Sequence, residues 1–320
     1  VHFAVDDEGR PGMHPYHEER IIPVERFPLA VREIQDLGLG AGRFPGVSRI
    51  DVAAPSAGAG PASRPLILFA AAPDTQDLAQ LGRELDAALD ACPADVEVSA
   101  VLQPARIPGR RGPRPQPIVL RGDDHVVETL PVPRPDRPDA PAPLRFRVGA
   151  GGFWQNHRFA PAALTETVRQ LADIRPADTV WDLYGGAGLF AALAADQVGA
   201  GGTVWSVEGS PVTSEDARHN LAGQGPARTE GSRGAKVIAQ RAAVERALTG
   251  RPRTGTPDVV VLDPPRDGAG RAVMRRLADC GARRIVYVAC DPAALGRDAG
   301  FLRAEGWEPT AVRGLDLYPE

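Results

Sequence analysis

Three cysteines stand in the 320-residue chain, Cys92, Cys280 and Cys290, and the last sits where chemistry is commonly done. In "RIVYVACDPAAL", residues 284 to 295, the β-branched and aromatic run from Ile285 to Val288 predicts a buried strand. Cys290 follows at its tip, just before Asp291 and Pro292, which cannot continue a strand. The carboxyl ends of strands line the ligand crevice of an open α/β sheet, so a thiol there is placed to act as a nucleophile. A free cysteine is also a common buried filler, and position alone leaves both readings open. No C-x-x-C pair occurs, so neither a zinc site nor a disulfide framework is indicated, which suits a reducing cytoplasm.

Three acids end other predicted strands. In "WDLYGGAGLF", residues 181 to 190, Gly185, Gly186 and Gly188 stand between a strand and a helix, where glycine lets the backbone turn tightly and a cofactor lie against it. The turn alone could be no more than a tight connection. It lacks the G-x-G-x-x-G spacing of a dinucleotide site, and Asp182 just before it would repel a pyrophosphate but suits a cationic cofactor such as S-adenosylmethionine. Glu208 ends the next strand about twenty residues on, where an acid can accept both ribose hydroxyls. Asp263, closing "VVVLDPP", lines the same crevice. Acids at three successive strand ends favour the cofactor reading.

The elements that must position these residues run from 144 to 320. There "TVWDLY", "GTVWSVEGS", "PDVVVLDPP" and "ARRIVYVACDP" read as strands, and "APAALTETVRQLADI", "GGAGLFAALAA", "PVTSEDARHNLAG" and "GRAVMRRLADC" as helices between them. Strand and helix alternate without hairpins, which predicts a doubly wound, Rossmann-like α/β domain. Residues 31–143 predict a smaller α+β domain. Its strands are "SRIDVAA", "PLILFAA" and "VEVSAVL"; the helix "TQDLAQLGRELDAAL" has leucines at 78, 81, 85 and 89; "PVPRPDRPDAPAP" reads as a Pro-rich connector. Residues 1–30 carry short strands such as "VHFAV" and "RIIPV".

Hydrophobic residues make up 43% of the chain and charged residues 24%, a globular balance, and no apolar run approaches a membrane-spanning length. No signal peptide opens it. The net charge of −4 does not advertise nucleic-acid binding, yet "PARIPGRRGPRPQP", residues 104 to 117, carries several arginines and no acid. A solvated Pro/Arg loop is the plainer account of that stretch. The chain starts at Val1 inside a strand-like pattern and closes on "LDLYPE", so both ends read as cut.

"GGFWQNHRFAPAAL", "VWDLYGGAGLF", "VEGSP", "VVVLDPPRDGAG" and "RIVYVACDPAALGRDAGFL" resemble, in this order, the motifs of the RNA uracil-5-methyltransferases, which make 5-methyluridine in transfer or ribosomal RNA. The resemblance covers residues 144 to 318 closely and residues 1 to 30 loosely. It implies S-adenosylmethionine contacts from Gln155, Tyr184, Glu208 and Asp263 beside the Gly186 turn, no metal, and Cys290 as nucleophile. Uracil C5 is too weak to attack a methyl group unaided; a thiolate added at C6 turns C5 into an enolate carbon that can. The target uridine must leave its stack, and Arg266 near the pocket mouth would serve the RNA partner or form a surface salt bridge. The implied protein is a cytoplasmic monomer that meets no membrane.

The chain departs from this pattern at several positions. Leu189 replaces an asparagine found in many members. Phe27 stands where members with an iron–sulfur cluster carry the last cysteine, so no such cluster is supported. The N-terminal β-barrel precedes this start, and the family's base, a glutamate in a His-x-Glu motif, is expected beyond residue 320, Glu320 coming too early to match it. Two other readings stay open: a methyltransferase for an exocyclic amine, although "DPPR" lacks the stacking aromatic of that class, and a non-catalytic RNA-binding relic of the fold.

Overall fold

Short apolar runs bounded by glycine and proline turns, such as HFAV, VSRIDVA and LILFAA, form the strands of the N-terminal part. The computed structural model describes residues 1–15, 17–56, 64–93, 96–106, 115–134, 137–222, 234–250 and 254–317. One unit consists of Val1–Glu128 with Val148–Gly151. Its elements are β1 (His2–Val5), β2 (Pro11–Met13), β3 (Ile22–Pro23), α1 (Arg32–Gln35), β4 (Val47–Ala53), β5 (Leu66–Ala71), α2 (Leu78–Ala88), β6 (Ser99–Gln103) and β7 (Ile118–Arg121). They build one sheet in the order β3-β2-β1-β4-β5-β6-β7, antiparallel except for β5 and β6, which run parallel with α2 as their crossover. The Asp77 carboxylate caps α2 by accepting from the Gln80 N–H at 2.8 Å, and Leu81 and Leu85 turn into a core with Phe3, Ile50, Phe69 and Leu102.

The strands of residues 1–30, set apart by their sequence, share this sheet: β1 pairs with β4, Phe3 opposite Ile50. Burial explains it, since Phe3 is wholly buried and stacks on Phe27 with ring centroids 3.7 Å apart. Phe27 is thus a core residue. The stretch read as a Pro-rich connector forms instead a two-stranded ribbon, β8 (His125–Arg134) and β9 (Arg137–Gly149). Most of the arginine-bearing 104–117 segment, residues 107–114, lies outside the described residues, as does Glu320.

The second unit is Thr129–Arg147 with Gly152–Glu320. In chain order it holds α3 (Ala160–Ala172), β10 (Thr179–Leu183), α4 (Leu189–Val198), β11 (Thr203–Glu208), α5 (Pro211–Ala222), β12 (Lys236–Arg241), α6 (Val244–Thr249), β13 (Val259–Leu262), α7 (Gly270–Ala278), β14 (Arg284–Tyr287) and α8 (Pro292–Ala304). The five strands form a parallel sheet ordered β12-β11-β10-β13-β14. Helix α4 packs on α3, α5, β10 and β11, while α7 packs on α6 and α8, so helices cover both faces. The doubly wound α/β expectation holds. Alternate residues explain the layers: Trp181, Leu183, Trp205, Val207, Val260 and Leu262 share a core with Val273, Met274 and Leu277 of α7. Each such side chain, fully buried, contributes about 1.5–3 kcal/mol over leaving it exposed.

The chain runs from β10 outward to β12 and then crosses back to β13, so the direction of winding reverses between β10 and β13. A crevice opens at such a switch point, beyond the carboxyl ends of the strands. Strand β14 is less buried than its sequence suggested. It ends at Tyr287 and only Val286 of its four residues is buried, because β14 is the outer strand of the sheet.

Candidate active site

At the switch point three acids stand at neighbouring strand ends: Glu208 on β11, Asp182 on β10 and Asp263 directly after β13. Parallel register sets Asp182 opposite Ser206, and the Ser206 hydroxyl donates to Asp182 Oδ2 at 3.0 Å. Asp182 is 1% exposed, and its Oδ1 is buried with no hydrogen bond, although the Ala191 amide lies near enough to favour the charge. Burial pushes the Asp182 carboxyl up to about 7 against the pull of Ser206, and the charges of Asp263 and Glu208 add to the rise. Burial likewise pushes Asp263 up to about 6. Its backbone N–H donates to Leu183 O at 3.2 Å, which keeps the loop after β13 beside the glycine turn.

That turn is built from the same acids. The Gly186 N–H donates to Glu208 Oε2 at 2.9 Å and the Ser210 N–H to Oε1 at 2.6 Å, so one carboxylate ties the turn to the end of β11. Each oxygen keeps a second lone pair for a ligand hydroxyl. Gly185 lies so close to Asp182 and Ser206 that a Cβ there would collide with Asp182 Oδ2 and Ser206 Oγ. Tyr184 is held at a φ of 59°, a left-handed conformation that costs a non-glycine residue about 1 kcal/mol or more. Such strain persists only where the surroundings impose it. From α5, the buried Asn220 side chain donates to Ala187 O and Arg147 O, each at 2.9 Å, and accepts from the Arg147 N–H at 2.7 Å. Leu189 is buried in the first turn of α4 and offers no polar contact.

Cys290 lies three residues past the end of β14 and is exposed. The Val288 N–H still donates to Leu262 O at 2.8 Å, so the chain stays beside β13 almost to the cysteine. There it turns into α8, because Asp291 caps the helix, accepting from the Ala294 N–H at 2.7 Å, and Pro292 fills its first turn. Cys290 and Asp263 therefore leave the same end of two paired strands. Arg266 is exposed on the loop after Asp263.

Gln155 is not drawn into this cluster by a hydrogen bond. It is half-buried on the stretch before α3, a stretch that also carries the exposed Phe153 (56%) and Phe159 (64%). Sequence reasoning passed over Ser206, Asn220, Tyr287 and Asp298. A serine inside the otherwise apolar "TVWSVE" was a usable signal, since a polar group in a buried strand needs a partner. Asp182 Oδ1, buried without a partner, and three acids that no arginine or lysine among the described residues neutralises together fit a positively charged ligand. Among the described residues no group of three metal-binding side chains is gathered, and no helix is long and apolar enough to cross a membrane.

No model of a known protein family matches the chain. An uncharacterized RNA methyltransferase of Streptomyces coelicolor is 34% identical to it over 326 residues, covering 100% of this chain and 60% of its own length. One from Streptomyces avermitilis is 33% identical over 322 residues, covering 100% and 63%. A third, from Bifidobacterium longum, is 41% identical over 179 residues, 54% of this chain and 39% of its own length. The chain thus spans less than two thirds of the length of these relatives. Among solved structures, the tRNA (uracil-54, C5)-methyltransferase of Pyrococcus abyssi in complex with S-adenosyl-L-homocysteine matches 94% of this chain and 68% of its own, with a TM-score of 0.60 and 17% identity. That likeness is one of fold. By sequence over its whole length the chain is similar to bacterial proteins named RNA methyltransferases, and its parallel-sheet unit has a Rossmann-like fold.

Proposed function

We propose that the chain methylates C5 of a uridine in RNA, using S-adenosylmethionine and a covalent adduct through Cys290. One observation carries the reading: an exposed cysteine leaves the sheet at the same end, and on the next strand, as three acids that no cation among the described residues neutralises. S-adenosylmethionine, when bound, supplies an electrophilic methyl group on a sulfonium. Glu208 would accept its ribose hydroxyls, Asp182 and Asp263 would balance its positive charge, and Gln155, Tyr184 and the Gly186 backbone would line its site. The Cys290 thiolate adds to C6 of the uracil, which makes C5 an enolate carbon able to take the methyl group. Loss of the C5 proton then expels the thiolate and restores the ring. The base for that proton is assigned to none of these residues, and Arg266 meets the RNA backbone.

The test is to incubate the chain with labelled S-adenosylmethionine and mixed transfer and ribosomal RNA. A Cys290-dependent protein–RNA band on a denaturing gel, or 5-methyluridine in the digested RNA, is expected. Label on an exocyclic nitrogen, or RNA binding with no cofactor affinity by calorimetry, would overturn the proposal.

A further inference from the structure

The aspartate near the end of the "CDPAALGRDAGFL" motif accepts five hydrogen bonds. Asp298, inside α8, is wholly buried. Its Oδ2 accepts from the Ala269 N–H at 2.7 Å, the Gly270 N–H at 3.1 Å and the Tyr287 hydroxyl at 2.8 Å. Its Oδ1 takes Arg297 Nε at 3.0 Å and Nη2 at 2.9 Å, and the same guanidinium donates to Asp267 O at 2.6 Å. The Tyr287 hydroxyl in turn accepts from the Ala269 N–H at 3.2 Å. Burial works to raise the Asp298 pKa, but the bonds from Tyr287, Gly270, Arg297 and Ala269 outweigh it and hold the carboxyl below its ordinary range.

These bonds join three stretches of chain. Ala269 and Gly270 end the loop that begins at Asp263 and carries Arg266. Tyr287 is the last residue of β14, three before Cys290, and Asp298 belongs to the helix that starts two residues after Cys290. The loop packs directly on the cluster: Gly268, at a φ of +78°, has no room for a Cβ, which would come within 2.6 Å of Asp298 Oδ2. An ordinary helix cap would need one acceptor for the first amides of α7. Here the acceptor is a buried charge that also grips the strand end beside the nucleophile.

We propose that Asp298 and Tyr287 are positioning residues that lock the 263–270 loop to the β14–α8 junction, so that the Asp263 carboxylate and the Cys290 thiol keep one fixed relation. The proposal rests on the reading of Cys290 as the nucleophile. A displacement of even 1 Å between reacting groups can cost about a hundredfold in rate. Loss of this lock should therefore appear far more strongly in the rate of adduct formation than in the affinity for either ligand.

The experiment uses the full chain with Tyr287→Phe, Asp298→Asn and Asp298→Ala, and RNA carrying 5-fluorouridine. Fluorine at C5 cannot leave as a proton does, so the Cys290–C6 bond persists and is counted on a denaturing gel. Amide hydrogen exchange of residues 263–270 is read beside it, with α4 as the internal control. Tyr287→Phe should speed exchange in the loop at least about tenfold, slow adduct formation about tenfold or more, and change cofactor and RNA dissociation constants by less than about threefold. Asp298→Asn, which keeps an acceptor for Ala269 and Gly270, should recover part of what Asp298→Ala loses. Unchanged exchange in Tyr287→Phe overturns the lock, and unchanged adduct rate with faster exchange overturns its role in positioning. If the unaltered chain forms no adduct, the reading of Cys290 fails, and the exchange data still decide whether the lock exists. Should Asp298→Ala not fold, Tyr287→Phe alone carries the test.

Discussion

The two ends of the parallel sheet carry the same kind of residue and treat it in opposite ways. At the amino ends of the strands Asp178 is gripped by Arg283, at 2.7 and 3.2 Å, and accepts from the Arg175 N–H at 2.7 Å. Asp258 accepts from the Thr179 N–H at 2.8 Å and faces the same arginine at 3.7 Å. At the carboxyl ends Asp182 accepts from a hydroxyl and Glu208 from two amides, and none of Asp182, Glu208 and Asp263 meets a cation among the described residues. Acids that serve the fold are neutralised by the fold. Those at the other end are left without a cation among the described residues, which is the pattern the proposed cofactor site rests on.

Substitutions at the two ends should therefore separate function from stability. The largest effect is expected for Cys290→Ala, which should remove adduct and product by at least about a thousandfold and leave the melting temperature and cofactor affinity nearly unchanged; assay of product beside calorimetry checks both. Asp182→Asn should weaken S-adenosylmethionine binding about ten- to hundredfold, measured by calorimetry, because a buried counter-charge is gone. Asp178→Ala should do the reverse: cofactor affinity within about twofold, but unfolding free energy in urea lowered by about 1–3 kcal/mol as Arg283 and the Arg175 amide lose their acceptor. If Asp178→Ala harmed binding as much as Asp182→Asn does, the division between the ends would fail.

A pH series sharpens the same contrast. Asp182 and Asp263 have folded pKa values of about 7 and about 6, raised by burial above the ordinary carboxylate value of 3.8. A raised acid contributes stability that is full below about pH 4 and is lost as pH climbs through 6 and 7. Without ligand the chain should thus lose melting temperature between about pH 4 and pH 7, and Asp182→Asn should flatten part of that slope. A cation favours the ionised acids, so S-adenosylmethionine should bind more tightly across this window and release protons, read by calorimetry in two buffers of different ionisation enthalpy. The smallest effect is expected for Arg266→Ala: a few-fold loss of RNA affinity, with the salt dependence shallower by about one charge.

The alternation of short apolar strands with helices made the doubly wound unit readable, since parallel strands buried on both faces leave near-continuous runs such as "VVVL". The acids at strand ends were readable because a strand end is a place in the sequence as well as in space. What joins distant stretches was not. Asn220 holds Ala187, and Asp298 holds Ala269, across separations that no local pattern records. The β8–β9 ribbon was missed because a run of prolines reads as a break in a strand when only the sequence is at hand. Gln155 remains an expectation from resemblance alone.

The ribbon has a consequence for how the protein is made. The N-terminal unit is not one continuous stretch: Val148–Gly151 belongs to it, yet follows Thr129–Arg147, which belongs to the other unit. A ribosome therefore cannot deliver the first unit whole before part of the second has emerged, and the usual domain-by-domain order of folding during synthesis is interrupted here. For the same reason a gene cut at any single codon leaves one unit short of a segment. Preparing either alone would call for a linker in place of the excursion, not a simple truncation.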